Sequence, residues 1–386
     1  MGRTEQSARE APNWVTAAAL ALAMSAAMAG AQPLFIGLGD LPGGAFYSVG
    51  RGVSADGRVV VGKSYSGPSL DAFRWTEATG MVGLPGTSEG FAASTDGSVV
   101  VGDGRSGTLR EGFRWTEGAG TEYLGDLPGW VHESFATDVS ADGAVVVGTS
   151  RSASQNYEAF RWTAPTGMVG LGNLTGGSWP SYGEDVSADG SVVVGSSETA
   201  AGREAYRWTA LDGMVGLGDL PGGSFFSMAN AVSADGSVAA GTSAGFSGTE
   251  AFIWTAADGM LGLGDLPGGD FYSRGEGISG DGTVVVGYSR GAVAAEAFIW
   301  DAAHGMRSLM DVLVHEYGLD LGGWWLTNAW DVSFDGTVVI GTGVNPEGRT
   351  EAYLARLEVI PEPGTLSLMV FGALGLWWRG ERGKRR

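Results

Sequence analysis

Cysteine is absent from this chain of 386 residues. No disulfide can hold it together, and no thiol can act as nucleophile or metal ligand. Histidine is nearly absent: His132, His304 and His315 stand singly, without metal-ligand spacing. No zinc site and no Ser-His-Asp arrangement is legible. Gly-rich segments abound, but none ends in the Gly-Lys-Ser/Thr of a phosphate loop. Basic residues are scarce, 23 Lys and Arg against 43 Asp and Glu, for a formal net charge of −20. The last eight residues carry a net +4, which leaves −24 on the remainder. Such a body repels nucleic acid and anionic lipid, so no nucleic-acid partner is expected. Divalent cations or basic partners suit it better.

Glycine is plentiful at 68 residues, proline sparse at 13, and hydrophobic residues make up 44% of the chain. The glycines recur at fixed offsets, as turn residues do, so they signal repetition rather than disorder. The clearest recurring block is Ser-x-Asp-Gly-x-Val-Val-Val-Gly. It occurs seven times, with Asp at 56, 96, 142, 189, 235, 281 and 335. Asp-Gly between two β-rich runs is a strong hairpin signal. The Val triplet predicts a strand buried on both faces.

A second block follows each Asp: an acid, Ala or Gly, an aromatic, any residue, then Trp. Glu158–Trp162 is typical, and the seventh copy, Glu351–Ala355, loses the Trp. A third block, Gly-Met-Val-Gly-Leu-Gly-Asp-Leu-Pro-Gly-Gly, is clearest at 213–223. Together they predict four short strands per repeat, hence an all-β, seven-bladed propeller of four-stranded blades. The chain opens with an unpartnered third block, Phe35–Gly44, and the seventh repeat lacks one. The N-terminal strand is therefore expected to complete the last blade and close the ring without a disulfide. An open solenoid is the other architecture that periodic sequence produces. Ser308–Tyr317 carries apolar residues at helical spacing and predicts a short amphipathic helix.

Residues 1–31 read as a signal peptide: Arg3 and Arg9, an apolar stretch from Trp14 to Met28, then small residues. The propeller is expected over 32–358. Residues 359–386 form a tail: Pro361-Glu362-Pro363, an apolar run from Leu366 to Trp378, and a basic stop of Arg379, Arg382, Lys384, Arg385 and Arg386. The run is short for a bilayer span, and Trp377 and Trp378 suit a membrane interface. A transmembrane helix and transient membrane anchoring are expected there.

The tail resembles the PEP-CTERM sorting signal of Gram-negative bacteria. That resemblance implies cleavage near Pro361–Pro363 by an exosortase-type membrane protease, and delivery to the cell surface or extracellular matrix. The repeats, over about 34–357, resemble HAF-type extracellular repeats, a family named for its pattern and not for an activity. Exopolysaccharide or envelope proteins are then the expected partners.

The acids of the second block (Asp71, Glu111, Glu158, Glu204, Glu250, Glu296, Glu351) would form one ring if the repeats are equivalent. Arg74, Arg114, Arg161 and Arg207 could partner them, but Ile253, Ile299 and Leu354 replace Arg in the last three copies. Glu250, Glu296 and Glu351 are therefore the candidate ligand or cation residues, with backbone capping as the structural alternative. Asp40, Asp126, Asp219 and Asp265 could bind Ca²⁺, though turn capping explains them as well. No cofactor is otherwise expected. Aromatics after Gly-Gly, including Phe46, Tyr47, Trp130, Trp179, Phe225, Phe226, Phe271 and Tyr272, could stack on sugars or pack between blades. No catalytic residue and no unique, non-repeated carboxylate pair stands out. A binding role is expected first, and a glycan hydrolase or lyase using carboxylates in the central funnel second.

Overall fold

A computed structural model describes residues 33–129, 132–154, 156–174, 179–291 and 294–357. The expected signal peptide and the expected sorting tail, with Pro361, Glu362, Pro363 and the basic cluster, lie outside the described residues. Leu34–Leu357 forms one unit. Among the described residues no helix is long and apolar enough to cross a membrane.

The third repeat illustrates how each is built. Strands β10 (Ser134–Val139), β11 (Val145–Arg151), β12 (Tyr157–Thr163) and β13 (Gly167–Gly170) pair antiparallel in chain order. The Asp-Gly hairpin joins the first two. Gly143 takes φ 72°, a left-handed conformation costly for other residues. Ser140 Oγ donates to Asp142 Oδ1 at 2.8 Å and accepts from Val145 N at 2.9 Å. The serine thus braces the turn from inside, and all seven copies repeat it. Val146 and Val147 are fully buried on opposite faces.

Among the described residues there are 28 strands, in four sheets of four strands and one of twelve. Two single-residue parallel bridges, Arg203↔Phe226 and Thr249↔Tyr272, weld three four-strand groups into the twelve. Between neighbouring groups lies an apolar layer. Its largest members are the aromatics of the second block: Phe73, Phe113, Phe160, Tyr206, Phe252, Phe298 and Tyr353. The residue after each aromatic points elsewhere than expected. Arg74, Arg114, Arg161 and Arg207 donate to the turn carbonyls of Gly97, Gly143, Gly190 and Gly236 in the following repeat, at 3.0–3.1 Å. They staple repeat to repeat and do not pair with the second-block acids, because an arginine three residues after its acid points to the opposite face of the strand.

The N-terminal strand β1 (Leu34–Gly37) pairs antiparallel with β28 (Thr350–Arg356), completing the last sheet. Seven backbone hydrogen bonds then run from each Ser-x-Asp-Gly turn to the next and return to the start. They join Asp56 to Thr95, then Ala141, Ala188, Ala234, Gly280 and Phe334, and Phe334 N donates to Ala55 O, at 2.9–3.2 Å. The predicted helix appears as a short α-turn, α1 (Leu309–Asp311), continuing into a π-turn over Val312–Glu316. Leu309 and Leu313 are buried in the layer between the last two groups.

Candidate functional site: a central polar cavity

Seven strands occupy the inner position of their groups: β2 (Ser48–Val53), β6 (Thr87–Ala93), β10, β14 (Ser181–Val186), β18 (Gly222–Val232), β22 (Gly268–Ile278) and β26 (Trp325–Val332). Each has a β-bulge at the same place, where the ladder to the next strand skips one residue. The skipped residues are Arg51, Phe91, Thr137, Glu184, Asn230, Glu276 and Trp330. A bulge frees its residue from the ladder and re-aims it, and all seven line one cavity of about 310 Å³. The glycine ending each Val triplet makes the bulge possible. A Cβ at Gly62, Gly102, Gly148, Gly195, Gly241, Gly287 or Gly341 would lie 1.9–2.0 Å from an inner-strand carbonyl oxygen.

The cavity is charged and mostly self-satisfied. Arg51 donates to Glu89 Oε1 at 2.6 Å and lies 4.2 Å over the Trp330 ring. Lys63 takes the other Glu89 oxygen at 2.9 Å. Arg274 Nε stands 2.7 Å from Glu276 Oε1, and Asn230 Nδ2 donates to Gly275 O at 2.7 Å. Glu184 differs: among the described residues its carboxyl has no hydrogen-bond partner. Burial pushes Glu184 up to about 7, against the pull of Arg274 and Arg203. Burial likewise pushes Glu276 up to about 7 despite Arg274 and Arg51, with Glu184 adding repulsion.

Directly after three of the bulge residues come Asp138, Asp185 and Asp331, which line the same cavity. Each reaches the next repeat: Asp138 Oδ2 accepts from Val186 N at 2.9 Å, Asp185 Oδ2 from Val232 N at 2.6 Å, and Asp331 Oδ2 from Val53 N at 2.8 Å. Burial, then the neighbouring Asp185 charge, push Asp138 well above the usual carboxylate range. The two carboxyls therefore titrate as a pair and not as independent groups. Burial pushes Asp331 up to about 7. Asp185 and Asp331 also border a second, apolar cavity of about 440 Å³ at the Asp-Gly end, lined by Val139, Val186, Val232, Val332 and Phe334.

Glu250, Glu296 and Glu351 are not brought together, and none lines the central cavity. Glu250 Oε2 accepts from Gly264 N at 2.9 Å, and Glu296 accepts from the Ser308 hydroxyl. Glu351 accepts from Gly39 N and Asn345 Nδ2, both at 2.8 Å. Each caps the backbone or a side chain of its own sheet. Phe46 lies beneath Arg349, Tyr47 against Tyr65, and Tyr272 against Tyr288, while Trp130 is outside the described residues.

No non-repeated carboxylate pair stands out in the sequence, yet Glu184 and Glu276 line the same cavity. Their signal was the position three before each Ser-x-Asp-Gly serine. Six residue types occupy its seven copies, inside an otherwise uniform repeat.

No family model matches the chain, and no curated protein does. Solved structures do. Oligogalacturonate lyase from Vibrio parahaemolyticus aligns at 13% identity over 86% of this chain and 98% of its own, with TM-score 0.54. An oligogalacturonate lyase in complex with manganese aligns at 14% identity over 86% and 97%, with TM-score 0.51. The β-propeller domain of the trilobed protease from Pyrococcus furiosus aligns at 10% identity over 80% and 95%, with TM-score 0.50. Likeness at such identities shows the fold alone: the chain is an all-β protein of β-propeller type. Among the described residues, no group of three or more His, Cys, Asp and Glu side chains is disposed to hold a metal ion.

Proposed function

We propose that the chain is an exported, seven-bladed β-propeller that binds a glycan in its central cavity. The blade count is supported by the seven-bond circle of turns and by the seven bulged inner strands. The single observation that carries the binding reading is the placement of variation. The framework positions of the repeat are nearly constant, whereas the bulge residues differ and face one another across the cavity. Arg51, Arg274, Asn230 and Thr137 offer hydrogen bonds, and Phe91 and Trp330 offer apolar faces, the mixture a hydroxyl-rich ligand requires. Pull-down of the mature protein with purified matrix polysaccharide tests this. Retention should be lost in Arg51→Ala and Trp330→Ala, and absence of retention at both low and high salt would count against the reading.

Cleavage of the glycan is a second reading, and Glu184 favours it. A carboxyl without a partner and poised near neutrality can give or take a proton, as general acid–base chemistry needs. The propellers of the oligogalacturonate lyases lend that reading a precedent of fold only. A turnover screen on glycans should find activity that Glu184→Gln reduces at least about 100-fold. Unchanged turnover in that variant would remove Glu184 from the chemistry.

Export and tail processing follow from the two ends. Mass spectrometry of both mature termini, from membrane and medium fractions, should find cleavage near Ala29–Ala31 and near Pro361–Pro363. Intact ends in both fractions would refute the surface assignment.

A further inference from the structure

We infer that the central cavity is one end of a longer track, and that its ligand is an extended acidic oligosaccharide threaded along Tyr272, Tyr288 and Trp330. This rests on the glycan-binding reading and specifies the ligand. The rings of Tyr272 and Tyr288 are 6.1 Å apart, and those of Tyr288 and Trp330 are 6.3 Å apart. Tyr272 and Tyr288 line a third cavity, of about 740 Å³, together with Arg290. Trp330 lines the central one. Tyr288 therefore bridges the two cavities, and its strand partner is Arg274, which belongs to the central cavity.

The track is specific to this sector. Tyr288 occupies the position held by Lys63, Asp103, Thr149, Ser196, Thr242 and Thr342 in the other repeats. Among the described residues another row of rings, Phe135, Tyr157 and Tyr182, also lies under arginines, Arg110, Arg151 and Arg203, but none of its rings lines the central cavity, whereas Trp330 does. In the first repeat, Tyr47 stacks on Tyr65 at 5.4 Å, and neither lines the central cavity.

Three guanidinium groups follow the same path. Arg290 lies 4.7 Å over Tyr272, Arg274 stands midway, and Arg51 covers Trp330 at the centre. Arg290 is held only loosely: its acidic neighbour Asp270 is 3.6 Å away, and both side chains are largely exposed. Arg51 and Arg274 are already paired with Glu89 and Glu276, so in a chain of net charge −20 Arg290, loosely held over an aromatic platform, is the guanidinium of this path that favours a ligand joining sugar faces to carboxylates. Arg recognises carboxylate by paired N–H donors, and the rings supply stacking area. The phenol hydroxyls, 3.5 Å apart, add donors and acceptors between the rings.

The test is a calorimetric titration of the mature protein with uronate oligomers of two and six units, and with neutral glucose oligomers of the same lengths. The six-unit uronate should bind about tenfold tighter than the two-unit one. Tyr272→Ala and Arg290→Ala should each remove about five- to tenfold of that gain and leave two-unit binding unchanged. Arg290 is exposed, so its variant keeps the fold. Tyr47→Ala is the control and should change neither. Equal binding of both uronate lengths, or equal losses at both lengths in the variants, would overturn the track and leave a single-cavity glycan site. Binding of neutral oligomers alone would overturn the acidic class. No binding of any oligomer would overturn the glycan reading itself.

Discussion

Glu351 is one of seven similar acids, yet its surroundings set it apart. It is 7% exposed, and it joins the two ends of the ring by accepting from Gly39 N across 312 positions of sequence. Asn345 Nδ2 takes its other oxygen. Glu158, in the third repeat, accepts a longer bond, 3.2 Å, from the exposed Gly172 N. Hydrogen bonds to a buried carboxylate are worth about 1.5–3 kcal/mol, and orphaning their donors costs more than losing an exposed bond. Glu351→Ala should therefore lower stability by about 3 kcal/mol and Glu158→Ala by about 1 kcal/mol. Urea midpoints at constant m-value measure both. Equal losses would show that ring closure does not depend on this carboxylate. The sequence pointed to Glu351 for the absence of Arg beside it, and that reasoning misassigned the arginines. Strand alternation sends them to the neighbouring turn, so their loss in the last three repeats says nothing about the acids.

Within a single element, the glycine of Val-Val-Val-Gly and the bulge opposite it are one device. In β18 the ladder to β19 (Val238–Gly245) passes from Ala229↔Gly241 to Ala231↔Ala240 and skips Asn230. The bend brings Met228 O to 1.9 Å from where a Cβ on Gly241 would stand. Gly241→Ala must push the inner strand away. It should cost about 3 kcal/mol, as overpacking does, and should displace Asn230 from the cavity. Thermal melts and ligand titration read the two effects. A stable variant with unaltered binding would mean that the inner strand can move freely.

Element scale is also where sequence and structure can be compared fairly. The hairpins, the doubly buried Val strands, the four-strand repeat and the N-terminal strand in the last sheet were all legible, because each rests on local chemistry repeated seven times. The cavity was not, because a bulge leaves no mark in the alternation pattern. Its residues appear only as disagreement among repeats. Repetition made the scaffold conspicuous and hid the site behind it.

Over the whole molecule, two sets of carboxyls pull stability in opposite directions with pH. Six of the turn aspartates, Asp96, Asp142, Asp189, Asp235, Asp281 and Asp335, are held below the usual range. Asp235 is the extreme, brought down to about 2 by the Ser237 hydroxyl and backbone and by Ser233. A depressed carboxyl stabilises the fold above its unfolded value near 4, and that contribution fades as pH falls towards 2. The channel carboxyls do the reverse. Glu184, Glu276 and Asp331 are raised to about 7, so between pH 4 and 7 the folded chain holds protons that the unfolded chain has released. Raising pH through that window therefore destabilises the fold. Together the two sets place maximum stability near pH 4–5, with a decline through pH 7 in place of the plateau usual for proteins. The net charge of −20 adds self-repulsion in the same direction, so the wild-type curve alone does not assign the cause. The double variant Glu184→Gln/Glu276→Gln removes two of the raised groups and changes little of the overall charge. Its melting temperature should fall less than that of the wild type between pH 5 and 8. If the two curves stay parallel across that interval, surface repulsion governs the decline and the channel carboxyls are not its source.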